Sequence, residues 1–264
     1  MGFFDRFKRK ENKKPKLALC LSGGGARGFA HIGAIRAFEE EGIDFDLVVG
    51  TSAGSIVGAM YAAGKTADEM TLYGETVNMK AIHNGIIFMP NDTAGIAKLV
   101  TDLIGNVKIE DLKKKFACVA VDLVEARQIV IDSGEAGAAC AASACVPVLF
   151  KPVVRGKNHL VDGGLLNNIP SDVCRMLGAD KVVTVDVNPT RGGGTPDLGL
   201  ISVVKATLSI VTANSSIMGL KNSDIVIAPD LGKFSSSSKD GWQEMIQLGY
   251  DEARKQTESI KTLI

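Results

Sequence analysis

The chain has 264 residues, 45% hydrophobic and 23% charged, with 30 Lys and Arg balanced by 30 Asp and Glu. A folded chain of this length buries about 70 to 75% of its unfolded surface without help from disulfides. The 5 cysteines, an odd number with no CxxC pair, and the 3 histidines give no disulfide or metal framework, and 5% aromatic residues offer few rings for stacking nucleobases. No metal, cofactor or nucleic-acid partner is expected.

Charge is unevenly placed. Residues 1 to 16 carry Arg6, Lys8, Arg9, Lys10, Lys13, Lys14 and Lys16 against Asp5 and Glu11. Residues 1–15 therefore read as a basic, flexible tail and 16–264 as one folded domain. With Phe3, Phe4 and Phe7 on one helical side, the tail suits transient contact with an anionic membrane surface; a solubilising arm is the plainer alternative. Arg6 breaks the N-myristoylation pattern. The first apolar run, Leu17 to Leu21, is too short for a signal peptide. Gly134 to Phe150 and Leu198 to Val211 are interrupted and fall short of about 20 lipid-compatible residues. The expected compartment is the cytoplasm, with peripheral attachment at the inner membrane surface through the tail, and no spanning segment.

In chain order, Lys16 to Leu21 reads as a buried strand opening into Ser22-Gly23-Gly24-Gly25. Phe29, Ile32, Ile35 and Phe38 then recur at helical spacing up to Gly42. Asp46 to Val49 is a second strand, Gly50 to Gly54 a turn, and Ile56 to Ala63 a helix of small residues. Strand, glycine turn, helix, twice over, is the signature of right-handed crossovers on a parallel sheet, which puts both turns at one carboxyl edge. Residues 67 to 104 read as mostly helical. Their apolar insert from Ile82 to Pro90 reads as core, with an acyl-chain entrance or lid as the alternative.

Strands follow at Ala117 to Asp122 and Gln128 to Asp132, then a helix from Glu135 to Cys145 and a hairpin turning at Arg155-Gly156-Lys157. Its second strand ends in Asp162-Gly163-Gly164. Further on come a helix at Ser171 to Leu177, a strand at Lys181 to Val187 and a loop at Arg191 to Gly194. A helix from about Gly199 to Leu220, a strand at Asp224 to Ala228, the loop Ser235 to Ser238 and a helix from Trp242 complete the chain.

Gly50-Thr51-Ser52-Ala53-Gly54 is a GxSxG between a strand and a helix, the setting that holds a serine on a sharp turn with its hydroxyl exposed. Ser52 is the candidate nucleophile. Gly23-Gly24-Gly25-Ala26-Arg27-Gly28 is a run of backbone donors with little side-chain obstruction, suited to an oxyanion. The same run matches GxGxxG and allows a dinucleotide-binding alternative. That reading wants an acid at the end of the second strand, where Val49 is followed by Gly50, while Asp46 stands at its start. For the base, an ordinary triad would need Asp122 or Asp132 with His159; His31 reads as structural. Asp162, freed by the two glycines after it, is the better candidate.

Together, the Gly23 to Gly28 run, the Gly50 to Gly54 turn and Asp162-Gly163-Gly164, in that order, resemble the patatin-like phospholipase family. Ala142-Ser143-Ala144-Cys145-Val146-Pro147 and Asn168-Ile169-Pro170 extend the likeness over roughly residues 16 to 190. It implies a three-layer α/β/α fold with a mostly parallel central sheet, and a phospholipase A or lysophospholipase acting on acyl-ester lipid through a Ser52–Asp162 dyad. In it Gly23, Gly24, Gly25, Ala26, Arg27 and Gly28 form the oxyanion hole, and no cofactor takes part. It also implies that Arg27 anchors a phosphate-bearing substrate; a surface ion pair is its alternative. Asn168 and Pro170 would shape the loop behind Asp162. A catalytically silent regulatory protein on the same fold is the remaining alternative.

Overall fold

The computed structural model describes residues 14–76, 92–188 and 199–264. The basic tail before Lys14, the insert from Ile82 to Pro90 and the stretch from Arg191 to Gly194 lie outside the described residues.

The eight described strands are β1 (Leu17–Leu21), β2 (Leu47–Thr51), β3 (Lys115–Asp122), β4 (Arg127–Ile131), β5 (Val153–Arg155), β6 (Asn158–Asp162), β7 (Lys181–Val185) and β8 (Ile225–Ile227). They form one sheet in the order β5-β6-β3-β2-β1-β7-β8, with β4 also paired to β3. Every residue of β1 and β2 is buried, which is why these strands read as unbroken apolar runs instead of alternating ones. From β3 through β8 by way of β2, β1 and β7 the pairing is parallel. The β4, β5 and β6 pairings are antiparallel.

Helices α1 (Phe29–Glu40), α2 (Ala53–Ala62), α3 (Ala67–Thr76), α4 (Ala94–Ile104), α5 (Ala136–Ser143), α6 (Ser171–Met176), α7 (Leu200–Ser215), α8 (Ile217–Asn222), α9 (Trp242–Arg254) and α10 (Thr257–Lys261) complete the described elements. Alternate strand residues divide the interior. Leu17, Leu19 and Leu21 pack with Val48, Cys118 and Val183 against Ile32, Ile35, Met60 and Met245 of α1, α2 and α9. Ala18 and Cys20 face the other way with Val49 and Val119, onto Ile169 and onto Val173 and Cys174 of α6. These are the two helical layers and the mostly parallel sheet expected from the family resemblance.

Two elements run differently from the sequence reading. The helix expected from about Gly199 to Leu220 is present as Leu200–Ser215 and Ile217–Asn222, but its apolar stretch does not stop at Val211: Ser202–Asn222, with one turn at Ser216, is 21 residues long. By length and composition it could cross a membrane, and 12% of its apolar window is buried. The second strand also continues two residues further, to Thr51, so that the glycine turn is pulled into the sheet edge.

Candidate active site

Chain registration brings the site together. Thr51 at the end of β2 stands opposite Val119, and the next β3 residue, Ala120, stands opposite Asp162 at the end of β6. Ser52 and Asp162 are thus delivered to the same sheet edge from strands on either side of β3, 110 positions apart in the sequence. The loop after β1 opens on that edge too, since Leu21 pairs with Gly50. Such a carboxyl edge is where ligands settle in parallel α/β sheets.

Ser52 adopts φ 53°, ψ −122°, a left-handed conformation disfavoured for a residue with a side chain. It is tolerated because the neighbouring glycines let backbone meet backbone. A Cβ on Gly50 would run into the Gly54 carbonyl, and one on Gly54 into the carbonyls of Leu21 and Ser22. The turn is further fixed by Ser143, whose Oγ accepts from the Ser52 N–H at 2.9 Å while donating to the Val119 carbonyl at 2.6 Å. Ser55 Oγ donates to the Ser52 carbonyl at 2.6 Å.

Asp162 is held as firmly. Its N–H donates to the Cys145 carbonyl at 2.8 Å, and its Oδ1 accepts from the Gly164 N–H at 2.8 Å. Burial pushes its carboxyl up to about 6, and a hydrogen bond from the Ser52 side chain, then the one from Gly164, draws it part of the way back. A carboxylate near neutrality beside a strained serine hydroxyl can exchange a proton with it, which an ordinary carboxylate does poorly.

The glycine loop is less free than its sequence suggests. The Gly23 N–H donates to the Asn168 carbonyl, Ala26 N–H to Ser236, and Arg27 N–H to Gly24. Gly24 and Gly25 present N–H groups with no acceptor among the described residues, as does Ala53 at the first turn of α2. The donors available to an anion therefore come from the middle of the loop and from the residue after Ser52. Among the described residues Arg27 makes no ion pair: its Nε donates to the Phe234 carbonyl at 3.0 Å and its NH1 to Asn188 Oδ1 at 3.2 Å. It fastens the serine-rich loop over the glycine loop. Asn168 does shape the region behind Asp162, through its carbonyl to Gly23 and its Nδ2 to Ser216 Oγ at 3.3 Å.

The histidines go elsewhere. His31 is fully buried with Nε2 2.9 Å from the Ser22 carbonyl, and burial pushes its pKa down to about 4, so the ring is neutral and acts as a strut. His159 sits exposed on β6. Asp122, its triad partner in the sequence reading, accepts from the backbone N–H groups of Val124 and His159. For the dinucleotide alternative, Asp46 accepts from the Leu17 N–H at the opposite end of β1.

Ser52, Asp162 and the glycine loop line one cavity of about 530 Å³. Its walls are apolar, with Ile56 and Val57 from α2, Ile96 and Leu99 from α4, Phe150, and Val204 and Leu208 from α7. That volume and lining suit an elongated apolar ligand with a polar centre at one end. Among the described residues no group of three or more His, Cys, Asp or Glu is arranged to hold a metal.

The patatin-like phospholipase family model matches residues 19–175, a span that contains Ser52, Asp162 and the glycine loop. The chain belongs to the patatin-like phospholipase family. Curated relatives include an NTE family protein of Mycobacterium bovis, 32% identical over 192 residues, covering 70% of this chain and 53% of the relative. Another is lysophospholipase NTE1 of Pyricularia oryzae, 28% identical over 284 residues, covering 94% of this chain and 19% of that one. The chain thus spans about half the length of the first and a fifth of the second. Among solved structures, VipD from Legionella pneumophila superimposes with TM-score 0.56 at 16% identity, covering 93% of this chain and 67% of that one. The ExoU–SpcU complex of Pseudomonas aeruginosa gives 0.51 at 15% identity, over 94% of this chain and 52% of that one. Both likenesses lie in the fold.

Ser143, which ties the Ser52 turn to β3, has no assigned role in the sequence analysis. The available signal was a lone hydroxyl in an otherwise apolar run, Ala136 to Ala142, where a buried polar group must be bonded to something.

Proposed function

We propose that this family member is a serine acyl-ester hydrolase of the phospholipase A or lysophospholipase type, with Ser52 as nucleophile and Asp162 as its base. The observation that carries the reading is that Ser52 and the buried Asp162, whose carboxyl is raised to about 6 by burial, line the same largely apolar cavity. In the first step Asp162 takes the hydroxyl proton as Ser52 Oγ attacks the ester carbonyl. The N–H groups of Gly24, Gly25 and Ala53 receive the developing oxyanion, supported by the positive end of α2. Collapse of that intermediate expels the alcohol, which takes the proton from Asp162. Water, deprotonated by the same carboxylate, then releases the fatty acid from Ser52. The lysophospholipase name of the Pyricularia relative supports a lipid substrate.

The test is labelling with a fluorophosphonate followed by peptide mapping, together with fatty-acid release from lysophosphatidylcholine. An adduct on Ser52, absent in Ser52→Ala, is expected. Asp162→Asn should lower kcat by about 10⁴-fold, the scale seen when a base and its orienting group are separated. An adduct on another residue, or turnover surviving in Asp162→Asn, would overturn the assignment.

A further inference from the structure

The helix α7, which walls the cavity with Val204 and Leu208, turns a second face outward. Val203, Thr207, Ile210, Asn214, Ile217 and Lys221 are all exposed, at spacings of four and three that form one stripe along α7 and α8. Large apolar side chains dominate it: Ile210 is 70% exposed, Met218 62%, Val203 45% and Ile217 44%. Leu166, in the turn after Asp162-Gly163-Gly164, is 46% exposed, and Val148 at the cavity wall 41%. Lys221 is exposed in the stripe, and residues 199–222 contain no acid. An apolar surface of this extent on a water-soluble layer is a docking surface, and its charge is complementary to an anionic one.

We infer that α7 and α8 lie in the headgroup region of an anionic phospholipid bilayer, so that an acyl chain passes from the lipid along α7 into the cavity. This rests on the lipid-hydrolase reading for the direction of substrate entry, but the docking itself does not. The helices lie on the bilayer and do not cross it, because their inner side is fastened to the domain. Ser215 Oγ donates to the Gly164 carbonyl at 2.7 Å, Ser171 Oγ to the Gly219 carbonyl, and Arg175 to the Asn222 carbonyl. Crossing would break these bonds and open the cavity wall, whereas an interfacial position buries the stripe and leaves them intact. Lys221, exposed in the stripe, adds attraction to an anionic surface.

The experiment uses the full chain, so that any attachment through residues 1–13 is common to every sample. All 5 native cysteines are buried, and Ile210→Cys can be labelled selectively with an environment-sensitive fluorophore. With vesicles of phosphatidylglycerol and phosphatidylcholine, its emission should shift to the blue and be quenched by nitroxide-bearing lipid. A label at Glu258→Cys on α10 should not respond. In parallel, Ile210→Glu combined with Met218→Glu should lower hydrolysis of vesicle lipid by about tenfold or more, while hydrolysis of a monomeric short-chain ester stays within about twofold. An Ile210 label indifferent to vesicles would overturn the proposal. So would a label that responds to protein concentration without lipid, which would assign the stripe to a second copy of the chain. Absence of turnover on both esters would instead sink the hydrolase reading, and the fluorescence would still decide the docking.

Discussion

At the scale of single residues, the buried Asp162 carboxyl is costly to the fold, and that cost has a sign. Asp162 has a folded-state value near 6 against an ordinary 3.8. Below pH 3.8 it is neutral folded and unfolded, and burial costs nothing in charge. Between 3.8 and 6 the folded protein keeps a proton that the unfolded chain has released, so stability falls as pH climbs, and the loss is complete above 6. The difference corresponds to about 3 kcal/mol. Asp162→Asn, neutral throughout and still able to accept from Gly164, should therefore unfold at higher temperature than the parent at pH 8 and at nearly the same temperature at pH 4. Calorimetry at both values checks this, and equal gains at both would refute it. The same titration sets the acid limb of kcat/KM, which should fall about tenfold per pH unit below a midpoint near 6. Ser143 carries the complementary prediction. Ser143→Ala leaves the Ser52 N–H and the Val119 carbonyl without their shared partner, so stability should drop by about 1 to 3 kcal/mol in urea titrations. Its kcat should fall with KM little changed, because the elbow loosens while the cavity wall stays.

Between elements, the contact that holds the glycine loop in place is the one between α1 and α9. The loop runs straight into α1, and α9 lies so close that a Cβ on Gly33 would overlap the backbone of Ile246 and Tyr250, and one on Gly249 the carbonyl of Ala30. Phe29 and Trp242 close the end of the seam with ring centroids 5.6 Å apart. Gly33→Ala must push α9 away, at a cost of about 1 to 3 kcal/mol. The expected result is a lower urea midpoint with unchanged dependence on denaturant, followed at the site by a lower kcat as Gly24 and Gly25 lose their alignment. A variant as stable as the parent would show that the two helices slide freely. Most of this architecture was legible in the sequence. The strands were apolar runs, the turns were glycines, and Ser52 and Asp162 each stood at a strand end. The partners of Arg27, the role of Ser143 and the engagement of Gly23 and Ala26 were not, because each depends on a carbonyl or hydroxyl more than 20 positions away whose approach is fixed by sheet order. The length of the apolar segment Ser202–Asn222 was hidden because a linear reading counts Lys205 and the serines as interruptions.

For the molecule as a whole, chemistry and selectivity come from different stretches of chain. The family match ends at residue 175, after Ser52, Asp162 and the glycine loop. The far wall of the cavity comes later, from Asn188, from Val204, Leu208, Ser209 and Thr212 of α7, and from Ser236 and Ser237. Those later residues are tied back to the core by Arg27 to Phe234 and Asn188, and by Ser215 to Gly164. Under the proposed function, the reacting centre is fixed by the sheet, while the space for the acyl chain is set by a helix that could vary without disturbing Ser52 or Asp162. Leu208→Phe should test the division. The larger ring intrudes on the cavity beside α2 and α4, and a difference of one or two methylenes in such a wall changes discrimination by about tenfold. Hydrolysis of long-chain esters should fall by that factor in kcat/KM, with short-chain esters and the rate of fluorophosphonate labelling at Ser52 unaffected. Equal losses across chain lengths would mean that α7 supports the reacting centre itself, and the separation of wall from chemistry would have to be abandoned.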